Sequence, residues 1–463
     1  MKIFHPLHSL RTQTLLFFLF LPFIIHADIN TSSISSEKAS YDGNALVLEG
    51  SVNLQHALGK LQAGNARLLR ATEGSPFTAI HLRDDVLITL ENRGKIFCAR
   101  ADFDFDKLTG TLIPKLGETI RFVNLQTGPL SLESKQATIE FARDASSIKV
   151  AKIEARDSVQ MHYGKDFFLT AESATYSNTT VPYVWASQHC TLTHFDDHIE
   201  ADRIEVLPDT AKMILTSPTG RLTPALSPSD GIQFSCKKLI WEKAPQILTL
   251  KGDIYISDTE VGDIHCEDEV ELRQKQQDGK WILNSITAKG KTELNYKLDV
   301  DFQHLLICYG QMHLDQDRLV LNLESPPEEP LEYFHDKMKL CAKHAELQYA
   351  KDGNSITPKK LFLCGNIQLS SLEDASRCAV ADQFTYFPEE KKIVLSAKDG
   401  GSVLFWDQQQ ELSISAREVH IRHTEKGEHI KGVGNVSFAF SNVENALLKK
   451  LFPFYQPNGR RQL

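Results

Sequence analysis

Apolar and polar residues alternate along most of this chain with the two-residue period of a β-strand, yet the alternation repeatedly loses its phase. In "LTAESATYS" (169–177), Leu169 and Ala171 are two apart, as are Ala174 and Tyr176, but the step between the pairs is three. An odd step sends the second pair to the opposite face unless the strand bulges or turns a corner there. The slip recurs at Ile34, Ser36, Ala39, Tyr41; at Leu61, Ala63, Ala66, Leu68; at Ile96, Cys98, Ala101, Phe103; and at Leu132, Ser134, Ala137, Ile139. It continues at Ile199, Ala201, Ile204, Val206 and at Phe234, Cys236, Leu239, Trp241. Leu340, Ala342, Ala345, Leu347, then Ala379, Ala381, Phe384, Tyr386, and Ile414, Ala416, Val419, Ile421 complete the series. In a looser copy, Ile264 and Cys266 are followed by Val270, one residue late. The chain is an internal repeat of strands.

A second motif, apolar-x-apolar-x-Gly-x-apolar-x-apolar, lies between many of these copies. "LVLEGSVNL" (46–54), "LTLKGDIYI" (248–256), "LFLCGNIQL" (361–369) and "LICYGQMHL" (306–314) fit it, and "IKGVGNVSF" (430–438) fits it less well. "IHLRDDVLI" (80–88) and "IEARDSVQM" (153–161) carry Asp84 and Asp157 at the glycine position. Gly and Asp share a tolerance for left-handed backbone, so a conformational requirement at a bend is expected there.

If the apolar residues on both sides of each slip face one interior, each repeat is strand–corner–strand. The flanking Ala, Ser or Cys then leaves room at a tight corner. Stacked units make a V-shaped or flattened-tube sheet with a continuous apolar trough, and Glu49, Gln62, Arg67, Glu172 and Lys237 lie on its solvated outside. A β-sandwich or parallel β-helix with a filled core is the competing structural reading. Helical periodicity is nearly absent, so the fold class is all-β.

Proline-rich stretches at 216–232 and 324–337 divide the chain into β segments at 28–215, 233–323 and 338–443. Residues 1–27 have the layout of a secretory signal peptide: Lys2 and Arg11, the apolar run "LLFFLFLPFII" (15–25), and small Ala27 at a plausible cleavage point. That run is too short to span a bilayer. Export to the periplasm is therefore expected. The basic tail 444–463, with Lys449, Lys450, Arg460 and Arg461, suits either a frayed end or a peripheral contact with anionic membrane.

Composition adds three exclusions. The formal net charge of −9 argues against a nucleic-acid partner, whose phosphates reward a basic face. The eight cysteines permit disulfides in an exported chain, but no CxxC pair occurs. Cys98, Cys236 and Cys266 occupy the small corner position, which favours packing over chemistry. "HCTLTHFDDH" (189–198) is the best metal-like cluster, but His189 and Cys190 point to opposite faces of a strand. It reads as a polar hairpin loop, and no metal or cofactor is expected. GxSxG, HExxH and phosphate-loop motifs are missing, so no catalytic residue is assigned.

Written out, the repeat resembles a known family. "SEKASYDGNALVLEGSVNLQHALGKLQAGNARLLR" (36–70) looks like an OstA-type unit of the lipopolysaccharide-transport proteins, and "CAKHAELQYAKDGNSITPKKLFLCGNIQLS" (341–370) follows the same order of strands. The likeness is strong over 34–110 and 335–440, fair over 132–275 and thin over 275–335. It implies an elongated antiparallel β-jelly roll open along one edge, a β-taco. The acyl chains of lipopolysaccharide, its lipid A portion, would ride inside while sugars and phosphates stay outside. Partner jelly rolls would stack edge strand to edge strand. The chain is more than twice the length of a simple bridge protein of that family, and it has no C-terminal series of lipid-facing strands.

The lipid-lining residues expected from the two motifs begin with Leu48, Val52, Leu54, Leu61, Ala63, Leu68, Ile96 and Phe103. Leu169, Tyr176, Ile204, Leu250, Ile254, Leu363, Ile367 and Phe384 complete the set. The favoured function is a non-enzymatic lipid carrier. A structural envelope protein with a filled core is the alternative, and a carbohydrate-active β-solenoid enzyme the third reading.

Overall fold

The structure, a computed structural model, describes residues 33–440 apart from 57–58, 91–93, 124–129, 144–147, 179–181, 223–230, 259–261, 278–279, 297–303, 336–337, 353–354, 373–375, 410 and 425–426. The expected signal peptide and basic tail lie outside the described residues. The described residues form one antiparallel sheet of 38 strands. The fold is all-β.

The slip is resolved at the first long pair, Ala45–His56 against Gly59–Arg70. Glu49 faces Asn65 and Val52 faces Ala63, so Gly50 and Ser51 stand opposite the single residue Gly64. Both bulged residues are left-handed, with φ of 74° and 49°. Two consecutive left-handed residues turn the strand sharply, and the residues after the turn pair in a second leaf of the sheet. The expectation for Asp84 and Asp157 holds: Asp84–Asp85 have φ of 65° and 54°, and Asp157–Ser158 have 63° and 56°. Such corners recur at Gly252–Asp253, Gly365–Asn366 and Gly434–Asn435. Gln188–His189, in "VWASQHCTL", make the same corner without glycine or aspartate.

The chain therefore zigzags. It runs along one leaf (leaf A), rounds a corner, runs along the other (leaf B), and returns through a hairpin at the free margin. Neighbouring corners are hydrogen-bonded into a spine: Ser217 N–H donates to Lys237 O (2.8 Å), Lys237 N–H to Gly252 O (3.0 Å), and Gly252 N–H to Asp268 O (2.9 Å). Where the corner is longer, one strand becomes two. Thr109–Ile113 with Ile120–Val123, and Val320–Glu324 with Leu331–His335, are such pairs. The ladder passes both proline-rich stretches without a break. Asp197–Leu207 pairs with Lys212–Thr216 and with Thr219–Leu222, and the strands on each side of residues 325–330 pair onward with His344–Asp352 and Met338–Ala342. Among the described residues, one sheet thus runs on both sides of the divisions expected at 216–232 and 324–337.

On the inner side, side chains stack in rows across neighbouring strands. One row of leaf A reads Leu48, Ala66, Leu82, Ala101, Leu112, Ala137, alternating large with small. It continues through Ala155, Ala174, Ala186 and Ile204 to Leu363 and Phe384. Residues on both sides of each corner belong to one buried cluster, so the two leaves share an interior.

The small corner residue has a second task that spacing does not reveal. Ser36 and Ser134 hydroxyls donate to the carbonyls two residues on, Lys38 O (2.9 Å) and Gln136 O (3.0 Å), and the Cys236 thiol reaches Lys238 O (3.3 Å). A corner interrupts the ladder, and a short donor satisfies a carbonyl left there. In the longer corner of Cys266 the thiol reaches Lys289 O (3.3 Å) as well as Glu269 O, three residues on (3.6 Å), and Cys308 reaches Glu324 O (3.2 Å) as well as Gln311 O (3.5 Å). This corrects the reading of "LICYGQMHL". Its Gly310 is not left-handed, and Cys308 holds the small position of another loose slip copy. A Cβ on Gly310 would come within 2.3 Å of Glu324 O, which explains the glycine by close approach instead.

Candidate functional site

The interior between the leaves is the candidate site, and its two ends differ. At the N-terminal end the leaves part to form a cleft of about 360 Å³. Leaf B supplies Ile34, Leu54 and Leu61, and leaf A supplies Leu68, Phe77, Ile80, Phe103, Phe105, Leu108 and Phe141. The rings of Phe103 and Phe141 pack at 5.9 Å, and Phe141 N–H donates to Leu108 O (2.9 Å), which holds the aromatic wall together. Gln55, Asp104, Thr109 and Arg143 form the polar rim. An apolar floor with a few polar groups at the mouth is the make-up of a site for an apolar or amphiphilic ligand.

Farther along, the two free margins touch. Tyr163 OH on leaf B donates to Pro208 O on leaf A (3.4 Å), and Lys243 Nζ on leaf A meets Asp166 on leaf B (3.2 Å). Lys243 also lies 5.1 Å from the centre of the Phe167 ring. Beneath it Phe167, His194 and Trp241 form an aromatic stack, with Phe167 and His194 centroids 4.3 Å apart. The next closures are Tyr296 against Tyr349, with centroids at 5.8 Å, and His335 against Tyr386 at 5.4 Å. Burial pushes both phenols of the first pair well above their usual range. Last, Arg377 on leaf B bridges Glu428 on leaf A (2.7 Å) while also holding the buried Asp407 (2.8 Å). From Tyr163 onward the mouth is crossed by these contacts.

This placement sorts the sixteen expected lining residues. All are buried and face the shared interior. Leu54, Leu61, Leu68 and Phe103 line the cleft. Leu48, Val52, Ala63, Ile96, Leu169, Tyr176, Ile204, Leu250, Ile254, Leu363, Ile367 and Phe384 are not on its wall. Beyond Tyr163 the two leaves pack against each other, as Tyr333 and Phe384 do across the interior at 6.0 Å. The continuous open trough is therefore corrected to an open cleft leading into a closed, packed interior. Phe77, Phe105, Leu108, Phe141 and Arg143 were missed because they sit at hairpin margins outside both repeated motifs.

The cysteines fit the packing reading. None of the eight forms a disulfide, and all but the half-buried Cys364 are buried. Burial pushes the Cys98 thiol up to about 12, and those of Cys190, Cys236 and Cys378 to about 11. The metal-like cluster is dispersed. The strand Tyr183–His194 runs through it, so the polar hairpin loop expected at 189–198 shrinks to a turn at Phe195–Asp196. His189 is an exposed corner residue with φ of 50°, Cys190 faces inward, and His194 packs at the mouth with Asp197 3.3 Å away. Among the described residues, no group of three or more His, Cys, Asp and Glu is placed to hold a metal ion.

No model of a known protein family matches the chain, and no curated protein is significantly similar to it.

Proposed function

We propose that the chain is a lipid carrier or bridge that holds acyl chains of lipopolysaccharide between its two leaves during transport to the outer membrane. The reading takes it as an OstA-like jelly roll open along one edge, exported to the periplasm, without catalytic chemistry of its own. The observation that carries it is the apolar cleft at the N-terminal end, continuous with an apolar interior. Each methylene moved from water into such a cleft contributes about 0.8 kcal/mol, so acyl chains bind without a finely matched shape. End-to-end stacking with like proteins is supported by the terminal strands. Among the described residues, Ser33–Ser35 and Lys38–Tyr41 pair on one side only, as do Gly427–Val433 and Ser437–Phe440. Ile34, Tyr41, Val436 and Phe438 are exposed there. Sheet edges of this kind invite strand addition.

The crossed mouth beyond Tyr163 favours a second reading for that part, a filled structural rod that presents the cleft. Lipid extraction separates the readings. The full mature chain, purified from an envelope-bearing host and analysed by mass spectrometry, is expected to carry an acylated glycolipid and to take up added lipopolysaccharide. A lipid-free protein that takes up none would leave the structural reading.

A further inference from the structure

The charges at the rim of the N-terminal cleft are not equivalent. Asp104 is committed to its own turn: its carboxylate accepts from the N–H groups of Asp106 (3.1 Å) and Lys107 (2.9 Å), and Lys107 Nζ lies 3.1 Å away. Those bonds hold its carboxyl below the usual range. Thr109 and Gln55 are neutral. Arg143, at the end of the strand Gln136–Arg143 and two residues beyond Phe141 of the aromatic wall, is exposed. Among the described residues it has no carboxylate partner, so it is the one uncommitted charge on this rim.

The volume narrows the ligand further. About 360 Å³ is near the small end of the range for ligand pockets, ~300–1,000 Å³. A cleft of that size between aromatic and aliphatic walls holds one chain, not several side by side. We infer that the cleft is a binding site for a single acyl chain carrying an anionic headgroup, carboxylate or phosphate, with the Arg143 guanidinium pairing the headgroup at the rim. The inference rests on the lipid-carrier reading and adds to it the ligand class and the residue that reads charge. Guanidinium suits both headgroups because its N–H fork matches two oxygens of either. The site remains wet at Arg143, so charge contributes selectivity and the chain contributes most of the affinity.

The test is fluorescence competition on the full mature chain, with parinaric acid as reporter and three competitors of one chain length: dodecanoate, dodecyl phosphate and methyl dodecanoate. The two anions are expected to compete about two- to five-fold better than the ester at low salt, the range of an exposed ion pair. The advantage should shrink as salt rises and vanish in Arg143→Gln, with the ester unaffected. If only one anion shows the advantage, that headgroup is the one read. Equal competition by ester and anions, or an advantage that survives in Arg143→Gln, overturns the role of Arg143 and leaves the carrier reading standing. If none of the three competes while lipopolysaccharide is still taken up, the single-chain site is refuted and the carrier reading again survives. Failure of lipopolysaccharide uptake as well would sink both.

Discussion

Replacing Gly365 tests the account of the lost strand phase at its most exposed point. Gly365 opens the corner of Ser355–Ser371 with φ of 91°, and a Cβ there would lie 2.9 Å from Lys343 Cβ and 3.1 Å from its Cγ. Lys343 is held in turn by its N–H bond to Cys364 O (3.0 Å), so it has little freedom to retreat. Left-handed backbone costs a non-glycine residue about 1–2 kcal/mol, and more for a β-branched one. Adding the displaced neighbour, Gly365→Ala should lose about 2 kcal/mol and Gly365→Val about 3–4 kcal/mol. Gly400 is the matched control: its φ is 82°, but a Cβ would meet nothing within 4 Å, so Gly400→Ala should lose only about 1 kcal/mol. The converse change, Asp157→Gly, relieves a left-handed non-glycine residue and should gain about 1 kcal/mol. Urea denaturation followed by tryptophan fluorescence, with limited proteolysis to locate the weakened segment, reads all four. Equal losses for Gly365→Ala and Gly400→Ala would refute the steric part. A stable Gly365→Val would refute the corner.

Three further outcomes follow from the mouth and the buried thiols. Arg377→Met strips the buried Asp407 of its cation and breaks the bridge to Glu428, so it should cost about 3 kcal/mol, and adding Asp407→Asn should recover part of that in a double-mutant cycle. Thiolate is the reactive form, and burial raises the thiol pKa values of Cys98 to about 12 and of Cys190, Cys236 and Cys378 to about 11. At pH 8 the native protein should therefore alkylate at Cys364 before these four, by peptide mass spectrometry, with all reacting once it is unfolded. Tyr296 and Tyr349 should stay protonated when exposed tyrosines titrate near pH 10 and ionise only as the mouth opens or the chain unfolds, visible in the ultraviolet difference spectrum.

The inner face was legible because it is periodic. Leu61, Ala63, Ala66 and Leu68 are two-residue steps on either side of a slip, and a slip between apolar pairs has one compact solution, a corner. Asp84 and Asp157 marked left-handed positions for the same reason as glycine. Gln188–His189 escaped notice because their corner is imposed by the paired neighbours on both sides, overriding what those residues prefer alone. The crossed mouth left no trace in the pattern. Tyr163 with Pro208 and Asp166 with Lys243 are 45 and 77 residues apart, and each is a single contact between hairpin margins that no repeat spacing encodes. Arg143 was hidden likewise: a charged residue at a strand end is ordinary until the aromatic wall beside it is known.

Photo-crosslinking in living cells tests the central claim most directly, with a benzophenone side chain at Leu54, Leu61 or Phe103 in the cleft, at Leu250 or Leu363 in the packed interior, and at Gln62 and Glu172 outside. The account predicts lipopolysaccharide adducts at the cleft positions, few or none at Leu250 and Leu363 while the mouth is crossed, and none outside. Silence at all three cleft positions in a folded protein would contradict it.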